Sequence, residues 1–143
     1  GEVVAFPRRK DEPDAALAVK EGIKRGYTVF VFYGCEGGKP DHAYANTQLL
    51  YHLAREGFYG YLVGEETIAT ALVNRSFRFK PEGRVSVFAL TERAKGVTIK
   101  GLSYSLTDAE LQNDVPLGVS NAATGEEAEI TVRDGALLLY WEK

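Results

Sequence analysis

The sequence holds few of the residues that build disulfides and metal centres. Its 143 residues include one cysteine, Cys35, and two histidines, His42 and His52. A lone cysteine excludes an internal disulfide and a cysteine-based zinc site, and it fits a reducing compartment. The histidines are ten residues apart. On one helix that separation is about 1000° of rotation, so they share no face and form no zinc helix motif. The net charge is −3, with no block of five like charges. That excludes a general nucleic-acid surface while leaving room for a local basic pocket. No apolar run approaches the roughly eighteen residues of a membrane span, and no charged-then-apolar leader is present. The expectation is a soluble, cytoplasmic protein with neither nucleic acid nor membrane as partner. Methionine is absent altogether, so Gly1 is expected to be a tag remnant or the start of a piece of a longer chain.

What is present is ordinary for a globular protein: 45% hydrophobic and 26% charged residues. The length suits one domain or two small ones, and a compact chain of this size buries roughly 70% of its unfolded surface. "EVVAF" (2–6) reads as a buried strand. "DEPDAALAVKEGIKRG" (11–26) reads as a helix with Pro13 in its first turn, acids at its positive end and Gly26 as its stop. "YTVFVFYG" (27–34) is apolar nearly throughout, as expected of a strand covered on both faces. "DHAYANTQLLYHLAREG" (41–57) repeats apolar residues at three- and four-residue steps, and "FYGYLVG" (58–64) is a third strand. This β-α-β-α-β order implies a parallel sheet with right-handed crossovers.

From Glu65 onward the pattern changes. "TIATALV", "SFRFK", "RVSVFAL", "GVTIKG", "EAEITV" and "ALLLYW" alternate with turn signals, which predicts an antiparallel sandwich or small barrel. The expected organisation is α/β plus all-β. A partial three-layer parallel α/β domain spans residues 1–63, and an antiparallel β-sandwich domain spans 64–143. Three parallel strands would leave exposed edges, so a partner or further strands are expected to cover them.

Two βα turns carry chemistry. "YGCEGGKPDH" (33–42) places Gly37, Gly38 and Lys39 after a strand and before a helix, where backbone N–H groups can face an anion. It is one residue short of a Walker A loop, and Pro40 follows the lysine. The glycines equally suit a plain turn, and Asp41 equally suits a helix cap. "KDEPD" (10–14) occupies the equivalent place after the first strand. Ligands of open α/β sheets bind beyond the carboxyl ends of the strands, so both turns belong on one rim. There Asp11, Asp14 and Asp41 can converge on Mg²⁺ while Lys10 and Lys39 steady phosphates, or the acids simply enrich a first helical turn. His42 is a candidate base or a helix-start hydrogen-bonder. In the β half, Tyr104 can stack on a flat ligand, and Ser120 and Asn121 can hydrogen-bond one or start a turn.

Together these motifs resemble the thiamine pyrophosphokinase family. Its K-D-x-T-D motif is matched by "KDEPD" and its G-x-x-G-G-R-x-D-H-x-L-A-N motif by "GCEGGKPDHAYAN". Its C-terminal G-[LF]-K-[YW]-x-L and S-N elements are matched by "GVTIKGLSYSL" and "LGVSN". The resemblance runs over essentially the whole chain and implies diphosphate transfer from ATP to thiamine, with Mg²⁺, in a homodimer. It implies catalytic and metal-holding roles for Asp11, Asp14 and Asp41. It gives nucleotide or phosphate contacts to Lys10, Gly37, Gly38, Lys39, His42 and Asn46, and thiamine contacts to Tyr104, Ser120 and Asn121. Pro13, Lys39 and Tyr44 stand where the family has threonine, arginine and leucine, and its acidic G-D-x-D-S motif does not occur. The chain therefore resembles the C-terminal two-thirds of such an enzyme, and little activity is expected of it alone. The alternative is a non-catalytic module on the same scaffold that binds thiamine or thiamine diphosphate.

Overall fold

The computed structural model describes residues 2–7, 15–34, 38–116 and 120–143. Within them the order is β1 (Glu2–Pro7), α1 (Ala15–Lys24), β2 (Tyr27–Tyr33), α2 (Pro40–Arg55) and β3 (Tyr59–Val63). Eight further strands follow: β4 (Thr67–Val73), β5 (Ser76–Phe79), β6 (Arg84–Ala89), β7 (Arg93–Lys100), β8 (Leu106–Gln112), β9 (Asn121–Ala122), β10 (Ala128–Thr131) and β11 (Ala136–Glu142). The predicted parallel start and antiparallel remainder are both present. β1, β2 and β3 pair in parallel, and every later pairing is antiparallel.

The two halves share one sheet. A seven-stranded sheet runs β1-β2-β3-β4-β11-β6-β9, and a four-stranded sheet runs β5-β10-β7-β8. Position 64 lies between β3 and β4, which pair with each other, so the large sheet passes through it without a break. Both crossover helices lie on the same face of that sheet, as two successive right-handed crossovers in one direction require. There Val19 of α1 and Leu53 of α2 meet Phe30 and Phe32 of β2. Further along α2, Leu50 reaches Ala69, Ala71 and Leu138. Gly60 lets α2 sit close: a Cβ at that position would stand 2.9 Å from the Leu53 side chain and 3.0 Å from that of Leu50. Its carbonyl accepts a 2.6 Å hydrogen bond from the buried Thr70 hydroxyl.

On the other face, β4, β11 and β6 pack against the four-stranded sheet. Strict alternation drives this: Leu137 and Leu139 point into the sandwich with Val85, Val87, Ile99 and Ile130, all essentially buried, while Leu138 faces α2. Each such side chain contributes roughly 1.5–3 kcal/mol on burial. Phe77, Phe79 and Trp141 close one end as an aromatic cluster, with ring centroids 5.0–5.7 Å apart. The same face under β1 and β2 exposes Val3 and Tyr33, whereas on β3 Arg75 lies 4.3 Å from the centroid of the part-exposed Tyr59 ring and Tyr61 meets Phe77. No helix among the described residues is long and apolar enough to cross a membrane.

Two strands have no counterpart in the sequence reading. β8, "LTDAELQ", faces inward with Leu111, but register shifts in the β7–β8 pairing and a left-handed Asp108 (φ 47°) break its alternation. β9 is only two residues long.

Across β5 and β10, Arg78 donates a 2.7 Å hydrogen bond to Glu129. That bond holds the Glu129 carboxyl below the usual carboxylate range, against the opposing effect of desolvation. A carboxyl whose folded pKa is lowered stabilises above its unfolded pKa, and the gain is lost as pH falls through the folded value. Both groups are solvated, so the effect is small. Glu129→Gln is expected to lower the thermal midpoint slightly at about pH 7 and not at all at about pH 2, as thermal melts of both proteins would show.

Candidate functional site

The site is built on one end of the large sheet. A single cross-strand row passes from Pro7 to Tyr33, Val63, Ile68, Trp141, Val85 and Asn121. The carboxyl ends of the parallel strands and the start of β9 therefore lie on the same rim. This is the rim expected to bind a ligand in an open α/β sheet.

At its α/β end, β2 passes through Gly34, which adopts a left-handed φ of 72°. Its N–H bonds the Val63 carbonyl at 3.0 Å. The chain then enters α2. Lys39 is the N-cap residue, extended at φ −71°, ψ 148°, with no side-chain cap bond, and Pro40 is the first helical residue. The cap reading of Asp41 is thereby corrected: Lys39 holds that place, and Asp41 sits in the first turn as its second residue, near the positive end of the helix. Gly38, Lys39, Asp41 and His42 are all exposed there. Asn46 stands apart from them. It is 5% exposed, on the helix face that carries Leu50 and Leu53. Lys10, Asp11, Asp14 and Gly37 lie outside the described residues, and among the described ones no three His, Cys, Asp or Glu side chains cluster as a metal centre would need.

At the other end, the two β-half motifs come together. The turn after β7 (residues 101–105) lies against residues 120–124. Asn121 Oδ1 accepts the Tyr104 N–H at 2.9 Å, and Asn121 Nδ2 donates to the Tyr104 carbonyl at 2.8 Å. Ser103 N–H donates to the Ala122 carbonyl at 2.9 Å, and the Thr124 hydroxyl bonds the Gly101 carbonyl at 2.9 Å. Ser120 is exposed and left-handed (φ 66°) just before this contact. Tyr104 stands out from the turn, 71% exposed. Gly101 and Thr124, which brace this turn, went unnoticed in the sequence, because nothing local marks two loops that meet only in the fold.

This architecture defines a class: a parallel α/β unit with a polar strand-to-helix rim, joined through one sheet to a β-sandwich. Residues 73–137 match the family described as "Thiamin pyrophosphokinase, vitamin B1 binding domain", in line with the resemblance in the motifs. Solved structures agree in fold. The thiamine pyrophosphokinase of Bacillus subtilis superposes with a TM-score of 0.84 at 20% identity, over 94% of this chain and 65% of that one. The Geobacillus thermodenitrificans enzyme gives 0.82 at 21% identity, over 96% and 64%. The Candida albicans enzyme gives 0.68 at 15% identity, over 80% and 43%. The chain thus spans less than two thirds of the length of these relatives. No curated protein matches it.

Proposed function

We propose that this chain is the thiamine-binding half, with part of the nucleotide side, of a thiamine pyrophosphokinase. The match of residues 73–137 to the vitamin B1 binding domain carries this reading. The reaction joins the hydroxyethyl oxygen of thiamine to the β-phosphorus of ATP, breaks the bond between the α- and β-phosphates, and releases AMP. Phosphoryl-type transfer of this kind depends on positioning and charge neutralisation more than on a strong base. Lys10, Gly37, Gly38, Lys39 and His42 serve the nucleotide side. Uncapped N–H groups at the start of α2 and the exposed Lys39 suit a phosphate there. Asp11, Asp14 and Asp41 would hold Mg²⁺, whose hard-oxygen preference they fit and whose charge would offset that of the triphosphate. Tyr104, Ser120 and Asn121 serve thiamine.

The sheet order also bears on assembly. Five inter-strand steps separate β2 from β9, about 24 Å across the sheet at about 4.8 Å per step. One small substrate cannot bridge that gap within a chain. A homodimer that sets the α/β rim of one copy against the Tyr104 turn of the other supplies both halves, and we propose that assembly.

A second reading is a module on the same scaffold that binds thiamine without turning it over, since the family match falls on the vitamin B1 binding domain. Calorimetric titration with thiamine, beside a coupled AMP-release assay with thiamine, ATP and Mg²⁺, separates the two. The chain alone is expected to bind thiamine and to release almost no AMP. Robust turnover refutes the inactive-module reading, and absence of thiamine binding refutes both.

A further inference from the structure

We infer that Asn121 is a positioning residue, whose amide clamps the main chain of Tyr104 and so fixes the ring that a flat, cationic heteroaromatic ligand stacks on. The inference rests on the thiamine reading and reassigns Asn121 within it, from ligand contact to support.

The hydrogen-bond inventory carries the argument. A primary amide offers two acceptor sites and two donors. Both acceptor sites of Asn121 Oδ1 are engaged, one by the Tyr104 N–H and one by the Ala122 N–H, each at 2.9 Å. One Nδ2 proton is engaged by the Tyr104 carbonyl at 2.8 Å. The residue is 4% exposed, so it presents almost no surface to a ligand. Tyr104 is the opposite case: its main chain is held on both sides of the residue while its ring is 71% exposed. A buried amide bonded to both main-chain groups of one residue acts as an extra pair of strand bonds, and it ties a two-residue strand to a turn 17 positions away. A ring so anchored has lost backbone freedom before any ligand arrives, which lowers the ordering cost of binding. Its face suits a positively charged aromatic ring, which the π-cloud attracts.

The test is a double-mutant cycle on the full chain, read by thiamine calorimetry. Asn121→Ala is expected to weaken thiamine about 10-fold when Tyr104 is present, the loss of roughly one to two hydrogen bonds of ordering. In the Tyr104→Ala background the same change is expected to cost less than about 2-fold. Losses that multiply across the two backgrounds would mean direct ligand contact by Asn121 and overturn the inference while leaving the thiamine reading intact. Asn121→Asp keeps both accepted N–H bonds but turns a carboxylate oxygen toward the Tyr104 carbonyl, so it breaks that half of the clamp by repulsion and serves if the alanine variant does not fold, with the same expected coupling. A ligand-free arm separates the two claims. Amide exchange at Tyr104 is expected to rise about 10-fold in Asn121→Ala, with β11 unchanged. Unchanged exchange at Tyr104 overturns the positioning role whatever binds. If the unaltered chain takes up no thiamine, the functional reading falls and this arm alone decides the role of Asn121.

Discussion

Gly101→Ala is expected to lower the thermal midpoint by about 10 °C, whereas Gly125→Ala should lower it by only about a third of that. Both glycines have left-handed backbones, with φ of 80° and 89°. An alanine in that region costs roughly 1–2 kcal/mol from its own Cβ. Their surroundings differ. A Cβ on Gly125 meets nothing within 4 Å, while one on Gly101 runs into the Glu127 carbonyl and lies 2.9 Å from the Ala128 Cα. Those are main-chain atoms at the start of β10, which cannot rotate aside as a side chain can. The Glu127–Ala128 segment would have to move, and Ala128 is 0% exposed in the sandwich core. Overpacking of that kind adds about 1–3 kcal/mol. Thermal melts of the two variants side by side isolate this term, because the conformational cost is common to both. Equal midpoints would show that the β7–β10 contact yields without cost. The result also bears on function, since Gly101 begins the turn that carries Tyr104 and its carbonyl is the acceptor for Thr124.

The elements that were legible in the sequence are those whose side chains face one environment throughout. β4 and β11 are apolar over most of their length because α2 covers one face and the second sheet the other, and both match the predicted runs. Leu50 and Leu53 announce the buried face of α2 by spacing alone. β8 was illegible because it lies at the edge of the smaller sheet and exposes Thr107, Asp108 and Glu110. The site follows the same logic. Lys39 and Asp41 were found because strand, glycines and helix start are contiguous in sequence. The pairing of Asn121 with Tyr104 was not, because it depends on β9 crossing to the turn after β7. Its residues were singled out one by one, by their chemistry and then by the family motifs, and their mutual hydrogen bonds appear only in the fold. Nor did the motifs reveal that the βα turns and the Asn121 that holds the Tyr104 turn lie toward opposite edges of one sheet, since strand order is set by long-range pairing.

Phe30→Ala is expected to open the α/β half while the sandwich stays folded. The ring is 0% exposed and shares a cluster with Val19, Phe32 and Leu53. Phe58 meets it edge-on, with centroids 6.0 Å apart and planes at 88°. α1 rests directly on it, since a Cβ at Gly22 would lie 2.6 Å from Phe30 Cε1. Removing the ring leaves a cavity beneath α1 and costs about 3–5 kcal/mol. The α/β half has little reserve against that loss. Helices cover one of its faces, while Val3 and Tyr33 are exposed on the other. The sandwich keeps an independent core around Val85, Ile99, Ile130 and Leu139. Hydrogen exchange should therefore accelerate more than about 100-fold in α1 and β2 and hold steady in β7 and β11. A uniform loss of protection would show instead that the continuous β3–β4 pairing makes the molecule a single cooperative unit. Because Lys39, Asp41 and His42 follow β2 directly, the variant also separates the two halves of the proposed site. If thiamine needs a rim from one copy and the Tyr104 turn from another, its affinity falls in this variant even though the Tyr104 turn is intact. Undiminished binding would place the whole thiamine site on the β half and remove the reason for a shared one.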